Sequence, residues 1–184
     1  GASGIGLAVA HRVRRDGDRV ALLDIDLERC RKAAVEIGDD AAAFECNTTD
    51  RNSLKQAADR VEAEMGHASA LVCCAGAPQV PGQALEMDVD EWQLVVDSHL
   101  KGTYLTCREF GGRMIERGKG GAIVNVASVT GFAPGPTYAY APAKAAIINL
   151  TTSLGVEWAR SGVRVNAVAP GWTDTPFLTR KSIP

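Results

Sequence analysis

The sequence predicts an α/β fold in which helices cover both faces of a parallel sheet. Short apolar segments alternate with helical segments along the whole chain. The apolar segments are continuous instead of alternating with polar residues, which is typical of strands buried on both faces. The connections are short, and strand–helix alternation of this kind indicates repeated βαβ units and a doubly wound parallel sheet.

Taken in order, a helix opens within residues 1–10 and continues to about Arg15, where Asp16-Gly17-Asp18 ends it. Glycines at 38 and 66 end later helices. The predicted strands cover residues 20–24, 41–45, 70–74, 121–126 and 163–168. The other predicted helices cover residues 27–37, 49–65, 88–117 and 138–160.

No linker or low-complexity segment divides the chain, so residues 1–184 are expected to form a single domain. A doubly wound sheet normally begins with a strand, whereas this sequence opens on the glycines of a strand-to-helix turn. After residue 178 no further strand or helix is predicted. We therefore expect a first strand and some C-terminal elements to be missing from the sequence.

The amino-acid composition argues against several classes of binding partner. Lys and Arg total 20 and Asp and Glu total 22, for a net charge of -2. This balance argues against nucleic acid or a membrane surface as a partner, because both require a concentrated positive field. No apolar run approaches the roughly 18 residues of a membrane span. The five cysteines show no metal-ligand spacing, which predicts reduced thiols, no metal site and a cytoplasmic protein.

A glycine-rich turn opens the chain as Gly1-Ala-Ser-Gly-Ile-Gly6. Such a turn before a helix lets backbone N–H groups and the helix dipole face a phosphate. Asp24 ends the next strand, about 20 residues on, where an acid accepts hydrogen bonds from an adenosine ribose. The alternatives are a turn that merely needs positive φ and a solvated acid at a strand end.

Tyr140 and Lys144 are four residues apart and therefore share one face of a helix. An ammonium near a phenol lowers the tyrosine pKa from about 10, which makes the phenol usable as a general acid/base. Ser128 follows the strand at 121–126, at the sheet edge where ligands bind. The alternatives are an amphipathic helix with incidental Tyr and Lys residues and an ordinary turn serine.

Together these residues resemble the short-chain dehydrogenase/reductase family over nearly the whole chain. The motifs occur in the family's order: Gly1-Ala-Ser-Gly-Ile-Gly6, Asp24, Cys73-Cys-Ala-Gly76, Ile123-Val-Asn-Val-Ala-Ser128, Tyr140-x-x-x-Lys144 and Asn166-Ala-Val-Ala-Pro-Gly171 with Thr175. The resemblance implies an NAD(P)-dependent oxidoreductase on a Rossmann sheet. It also implies a homotetramer, or a homodimer, built through the helices at 88–117 and 138–160.

The resemblance also implies residue roles. Tyr140 is expected to be the acid/base, Ser128 to hold the substrate oxygen, and Lys144 to bind the nicotinamide ribose and lower the Tyr140 pKa. Asp24 implies NAD, because its carboxylate repels the 2′-phosphate of NADP. The expected cofactor contacts are Gly1, Ser3, Gly4, Ile5, Gly6, Asp24, Ile25, Asn47, Thr48, Cys74, Ala75, Gly76, Tyr140, Lys144, Pro170, Gly171, Thr173 and Thr175.

Four positions depart from the family pattern. The opening Thr-Gly would precede Gly1. Asn47 stands where an Asp usually contacts adenine, and its oxygen is expected to accept a hydrogen bond. Cys73-Cys74 replaces an Asn-Asn pair. His99 occupies the catalytic Asn position, where an imidazole could serve a proton relay and add a pH dependence near neutrality, or be an ordinary buried polar residue.

The substrate pocket is expected from residues 77–85, 129–137 and those after Gly171, which carry apolar side chains and no cation before Arg180. An apolar alcohol or ketone, or an uncharged polyol, fits this lining. The alternatives are a 3-oxoacyl thioester reductase and a non-catalytic NAD(H)-binding sensor of the same fold. A phosphate-binding switch domain is disfavoured, because no Lys-Ser/Thr follows the glycines.

Overall fold

The strands form two parallel ladders in the computed structural model, which describes residues 1–133 and 135–179. In one ladder β1 (Val20–Asp24) pairs with β2 (Ala41–Glu45). In the other, β4 (Gly121–Val126) lies between β3 (Ala70–Cys73) and β5 (Val163–Val168). The five predicted strands and their parallel pairing are confirmed, with β3 one residue shorter than predicted.

Seven helices connect and cover the strands in the described ranges. They are α1 (Gly4–Arg15), α2 (Leu27–Ile37), α3 (Arg51–Met65), α4 (Val89–Val96), α5 (Gly102–Arg117), α6 (Tyr140–Trp158) and α7 (Pro176–Thr179). Short 3₁₀ turns lie at Ala84–Glu86, Val129–Gly131 and Ala159–Ser161. The predicted α3 and α6 begin about two residues earlier than the observed ones.

The predicted helical stretch at 88–117 is observed without a break from Val89 to Arg117, but it contains an irregularity. The segment 88–117 is not a single α-helix, because a π-helical turn at Asp97–Lys101 separates α4 from α5. A π turn accommodates one extra residue per turn and frequently occurs at functional sites. His99 lies in the middle of this turn, and its side chain is buried. Apolar spacing alone did not reveal the insertion.

Three apolar clusters hold the helices on the strands, and the smallest packs α3 against α5 beside the end of β2. The first packs β3, β4 and β5 against α5 and α6 through Met114, Ile123 and Trp158, among others. The second packs β1 against α1 and α2, mainly through alanines. The glycine turn joins the two halves: a Cβ on Gly6 would lie 3.2 Å from the Gly1 oxygen and 3.4 Å from the Cys74 Cβ. Both ladders thus present their carboxyl ends to this turn.

Helix starts fall into two groups. Helices α2, α3 and α4 each begin after an aspartate, Asp26, Asp50 or Asp88, whose carboxylate accepts a hydrogen bond from a first-turn N–H. Such caps satisfy backbone donors that have no partner inside the helix. The N-cap residues of α1 and α6 make no side-chain cap bond. These two helices carry the glycine turn and the Tyr-Lys pair.

Candidate active site

Ser128 opens the 3₁₀ turn that follows β4 and is almost fully buried. Its Oγ accepts hydrogen bonds from the Thr130 nitrogen, at 3.2 Å, and from Thr130 Oγ1, at 3.0 Å. A hydroxyl has one hydrogen and two acceptor positions. Because both acceptor positions are used, the Ser128 hydrogen remains to be donated, and the Ser128 side chain lowers the pKa of the Tyr140 phenol.

Tyr140 and Lys144 lie one turn apart at the start of α6, as their spacing predicted. The Lys144 ammonium is buried and donates to the Val126 carbonyl at 2.6 Å, so it ties α6 to the end of β4. The Lys144 Nζ also lies 5.4 Å from the centroid of the Tyr140 ring. The fold therefore brings Ser128, Tyr140 and Lys144 together from two elements.

The titration of this pair differs from the sequence-based expectation. Burial raises the pKa of the Tyr140 phenol above its usual value, and the hydrogen bond from Ser128 opposes this only in part. Burial also lowers the pKa of Lys144 to about 8. The predicted lowering of the Tyr140 pKa by Lys144 is thus not found in the chain by itself, because desolvation disfavours the charged form of both groups.

His99 packs against the same tyrosine. The two rings meet edge to face, with centroids 5.0 Å apart. His99 Nε2 lies 2.9 Å from the Ala77 carbonyl oxygen, so Nε2 carries the hydrogen and donates it. Nδ1 is buried without a hydrogen-bond partner in the described part of the chain. A Cβ on Gly76 would overlap the His99 ring, so the backbone approaches this ring as closely as glycine allows.

Of the two interpretations of His99, the structure favours an ordinary buried polar residue over a group that titrates near neutral pH. Burial lowers the pKa of His99 to about 3, and the Lys144 charge contributes, against an opposing effect of the Ala77 carbonyl. The imidazole is consequently neutral throughout the physiological range. The side chain can still position Tyr140 and donate to Ala77, but it cannot take up a proton at pH 6 to 8.

The first turn of α1 fits a pyrophosphate. Gly4 has a φ of +52°, and a Cβ on Gly1 would lie 2.9 Å from the Leu23 oxygen, so both positions require glycine. Ser3 makes no cap bond and the turn carries no acid, which leaves its N–H groups for an anion. A cleft of about 380 Å³ opens beside it. Its lining is Gly4, Ile5, Ala8, Val9, Arg12, Thr173, Asp174, Thr175 and Pro176.

Asp24 lies at the end of β1 as predicted, but its carboxylate is already fully engaged. One oxygen accepts from the Gly1 nitrogen and from the Ala2 backbone nitrogen, each at 3.0 Å. The other accepts from the Asp26 nitrogen at 3.1 Å and from Arg29 Nη2 at 2.8 Å. Burial raises the pKa of Asp24, whereas the hydrogen bonds from the Ala2 N–H and the Arg29 guanidinium lower it.

Arg29 was missed by the sequence analysis. It lies in the first turn of α2, five residues after Asp24, and its Nε is buried without a partner among the described residues. The sequence signal was an arginine three residues after Asp26, which is the N-cap of α2. Arginine at this place bears on cofactor choice, since a nearby Arg is the group that accommodates a 2′-phosphate.

Of the other predicted cofactor contacts, Thr173 and Thr175 line this cleft. The Asn47 oxygen, expected to accept a hydrogen bond from a ligand, already accepts two from Thr49. Thr175 packs on Gly4. Thr173 donates to the Gly171 carbonyl, and the Pro170 carbonyl accepts from Val129. Ile25 and Ser3 are exposed, Cys74 is half-buried, and Thr48 contacts Gly102.

Apolar side chains surround the approach to Tyr140. Phe177, from α7, places its ring 5.9 Å from that of Tyr140 and 6.4 Å from that of His99. The predicted pocket segments expose Val80, Leu85, Val129, Phe132 and Trp172. Arg180, named in the substrate argument, lies outside the described residues. The described residues contain no group of three His, Cys, Asp or Glu placed to hold a metal, and none of their helices meets the length and hydropathy of a membrane span.

Comparisons with known proteins agree with this geometry. Residues 1–183 match the family model of the short chain dehydrogenases. A D-threitol dehydrogenase from Mycolicibacterium smegmatis is 38% identical over 173 residues, which are 92% of this chain and 66% of that protein. A galactitol 2-dehydrogenase (L-tagatose-forming) from Cereibacter sphaeroides is 38% identical over 97% of this chain and 70% of that protein. The chain thus spans about two thirds of the length of these relatives.

Solved structures show the same fold. A ribose-5-phosphate isomerase from Brucella melitensis 16M superposes with a TM-score of 0.92 and 42% identity, covering 97% of this chain and 68% of the other. A 3-ketoacyl-(acyl-carrier-protein) reductase from Brucella melitensis, complexed with NADH, gives a TM-score of 0.92 at 29% identity. That match covers 97% of this chain and 75% of the other.

Proposed function

Because the chain belongs to the short-chain dehydrogenase family, we propose that it transfers a hydride between NAD(H) and a secondary alcohol or ketone, with Tyr140 as the acid/base. The observation that carries the proposal is the placement of Ser128, Tyr140 and Lys144 at one site, where Lys144 Nζ lies 5.4 Å from the Tyr140 ring centroid and is held by the Val126 carbonyl. These groups converge at the carboxyl edge of the sheet, where ligands of such folds bind.

Tyr140, Ser128 and Lys144 have separate roles in the proposed alcohol oxidation. A bound nicotinamide cofactor would supply the hydride acceptor for the substrate carbon. The Tyr140 phenolate takes the hydroxyl proton, and Ser128 donates a hydrogen bond to the substrate oxygen. Lys144 donates one hydrogen to the Val126 carbonyl, and its two other hydrogens would be available to the nicotinamide ribose. A positive charge on oxidised cofactor would favour the phenolate and offset the raised pKa of Tyr140.

The cofactor is assigned to the glycine turn. The N–H groups of the α1 first turn would hold the pyrophosphate, with Thr173 and Thr175 on the opposite side of the cleft. Asp24 favours NAD over NADP because of its ionised carboxylate, and the similar reductase complexed with NADH is consistent with this choice. His99 is assigned the positioning of Tyr140 through their edge-to-face contact.

The substrate is proposed to be an uncharged polyol or a largely apolar alcohol. The exposed pocket side chains are apolar, and two of the similar proteins are named for the polyols threitol and galactitol. A 3-oxoacyl thioester reductase is the second candidate, supported by the similar ketoacyl reductase. A homotetramer or homodimer and a cytoplasmic location stay predictions from the family resemblance and the composition.

The test is cofactor reduction by the full-length protein with NAD and NADP against secondary alcohols, threitol and galactitol. Tyr140→Phe should lower kcat by about 10³-fold while the Kd for NADH stays within about threefold. Tyr138→Phe is the matched control, because Tyr138 is half-exposed and lacks a lysine four residues on. NADH binding without turnover in either direction would instead favour the sensor.

A further inference from the structure

Gln79 connects the loop after β3 to the start of the catalytic helix. The side chain is 6% exposed, and its Oε1 accepts hydrogen bonds from the Tyr140 nitrogen at 2.7 Å and the Ala139 nitrogen at 3.1 Å. Its Nε2 donates to the Met87 sulfur at 3.3 Å. A residue 61 positions away in the chain therefore contacts the backbone of the proposed acid/base.

These bonds complete the hydrogen bonding of the first turn of α6. Ala141 donates to the Thr137 carbonyl and Ala143 to the Ala139 carbonyl. Pro142 has no N–H. The remaining donors, on Ala139 and Tyr140, are the two that Gln79 accepts. Without Gln79 both would be buried without a partner, because the local N-cap residue is an alanine.

The loop that carries Gln79 is itself a wall of the proposed substrate pocket. Its backbone is anchored on both sides: Ala77 donates to Ser98 Oγ at 3.0 Å, and Gly82 donates to the Pro136 carbonyl at 3.3 Å. The loop thus lies between the π turn and the segment that leads into α6. A change in the position of the loop would reach Tyr140 through the two hydrogen bonds of Gln79. Both bonds are made to the helix backbone and not to a side chain of the helix.

We propose that Gln79 is a positioning residue that fixes the start of α6, and with it the Tyr140 hydroxyl, against the substrate-pocket loop. It touches neither the cofactor cleft nor the reacting atoms, so it acts through the backbone of Tyr140. The proposal rests on the proposed function for its kinetic consequence. Its structural consequence, protection of two backbone amides, does not depend on that function.

Gln79→Met removes the acceptor at nearly constant volume. We expect kcat to fall about 10- to 100-fold, because a small displacement of an acid/base has this effect, while the Kd for NADH stays within about twofold. Gln79→Glu keeps an acceptor oxygen at a helix N-terminus, where a carboxylate is favoured, and should restore kcat to within about fivefold of the parent. Gln56→Met, an exposed glutamine on α3 outside the proposed pocket segments, is the matched control.

Amide hydrogen exchange of the peptide spanning 138–144 gives the second measurement. Protection of Ala139 and Tyr140 should be lost in Gln79→Met and kept in Gln79→Glu and Gln56→Met. Equal activity loss in the Met and Glu variants, or unchanged protection in Gln79→Met, would overturn the proposal. If the parent protein shows this protection but no turnover, the proposed function fails and the positioning contact remains.

Discussion

The ends of β1 and β4 differ in how the charges of their ionisable side chains are compensated. On the β1 side, Asp24 is ionised and surrounded by four donors, including Arg29, so its charge is compensated before any ligand arrives. On the β4 side, burial disfavours the charged forms of Tyr140, Lys144 and His99 without a carboxylate near them. The charge on the β1 side is thus balanced within the protein, whereas the ionisable groups on the β4 side remain uncompensated and available for the proposed reaction.

The same contrast appears in the helix starts. The first turn of α1 is left without a side-chain cap, and its donors face the cleft. The first turn of α6 also lacks a local cap but receives Gln79 from a distant loop. The free N–H groups in the first turn of α1 are thus available for an anion. Those in the first turn of α6 are hydrogen-bonded by Gln79, which immobilises Tyr140.

Lys144→Met is the strongest test of the uncompensated charge. The substitution should lower kcat by about 10²-fold or more, because the phenolate loses its cation. It should also stabilise the ligand-free fold by about 1–3 kcal/mol at pH 7, since a buried ammonium is costly. The measurements are turnover with NAD and denaturant unfolding.

The stability gained in Lys144→Met is expected to depend on pH in one direction. The folded pKa of Lys144, about 8, lies below the unfolded value of 10.5, so the cost of the buried charge is fully present below pH 8. The unfolded state binds more protons between these values, so the parent gains stability as pH rises through that window. The stability gap between the variant and the parent should therefore narrow from pH 8 to 10.5; a gap independent of pH would contradict this account.

Asp24→Ala combined with Ile25→Arg tests the compensated half. Removal of the carboxylate and addition of a cation should shift the ratio of kcat/KM for NAD over NADP by at least about tenfold toward NADP. Arg29 would lose its hydrogen bond to Asp24, keep only the longer ion pair to Asp26 at 3.7 Å, and become available to the 2′-phosphate. Adding Arg29→Met should therefore reverse part of the shift. An unchanged ratio in the double variant would remove Asp24 from the selectivity argument.

His99→Asn should have the smallest effect. Because the imidazole is neutral above pH 4 or so, given its pKa of about 3, the pH–rate profile between pH 6 and 9 should keep its shape. The loss of the edge-to-face contact with Tyr140 should change kcat by less than about tenfold. A limb near neutral pH that disappears in the variant would show that His99 titrates there after all.

The sequence by itself determined the parallel strands, the glycine turn, the acid at the end of β1 and the shared helix face of Tyr140 and Lys144. Each of these depends on local periodicity or on spacings of a few residues, which the backbone geometry fixes. The motif order along the chain was enough to indicate the family. Ser128 was placed correctly because strand ends in a parallel sheet meet at one edge.

Tertiary structure alone decided the π turn around His99, the four donors on Asp24, the pKa directions of Tyr140 and His99, and the Gln79 cap. Each arises from groups brought together across the fold, such as the pairing of residues 79 and 140, or from removal of water around a buried side chain. Desolvation depends on how many atoms surround a group in three dimensions, so residue spacing along a helix carries no information about it.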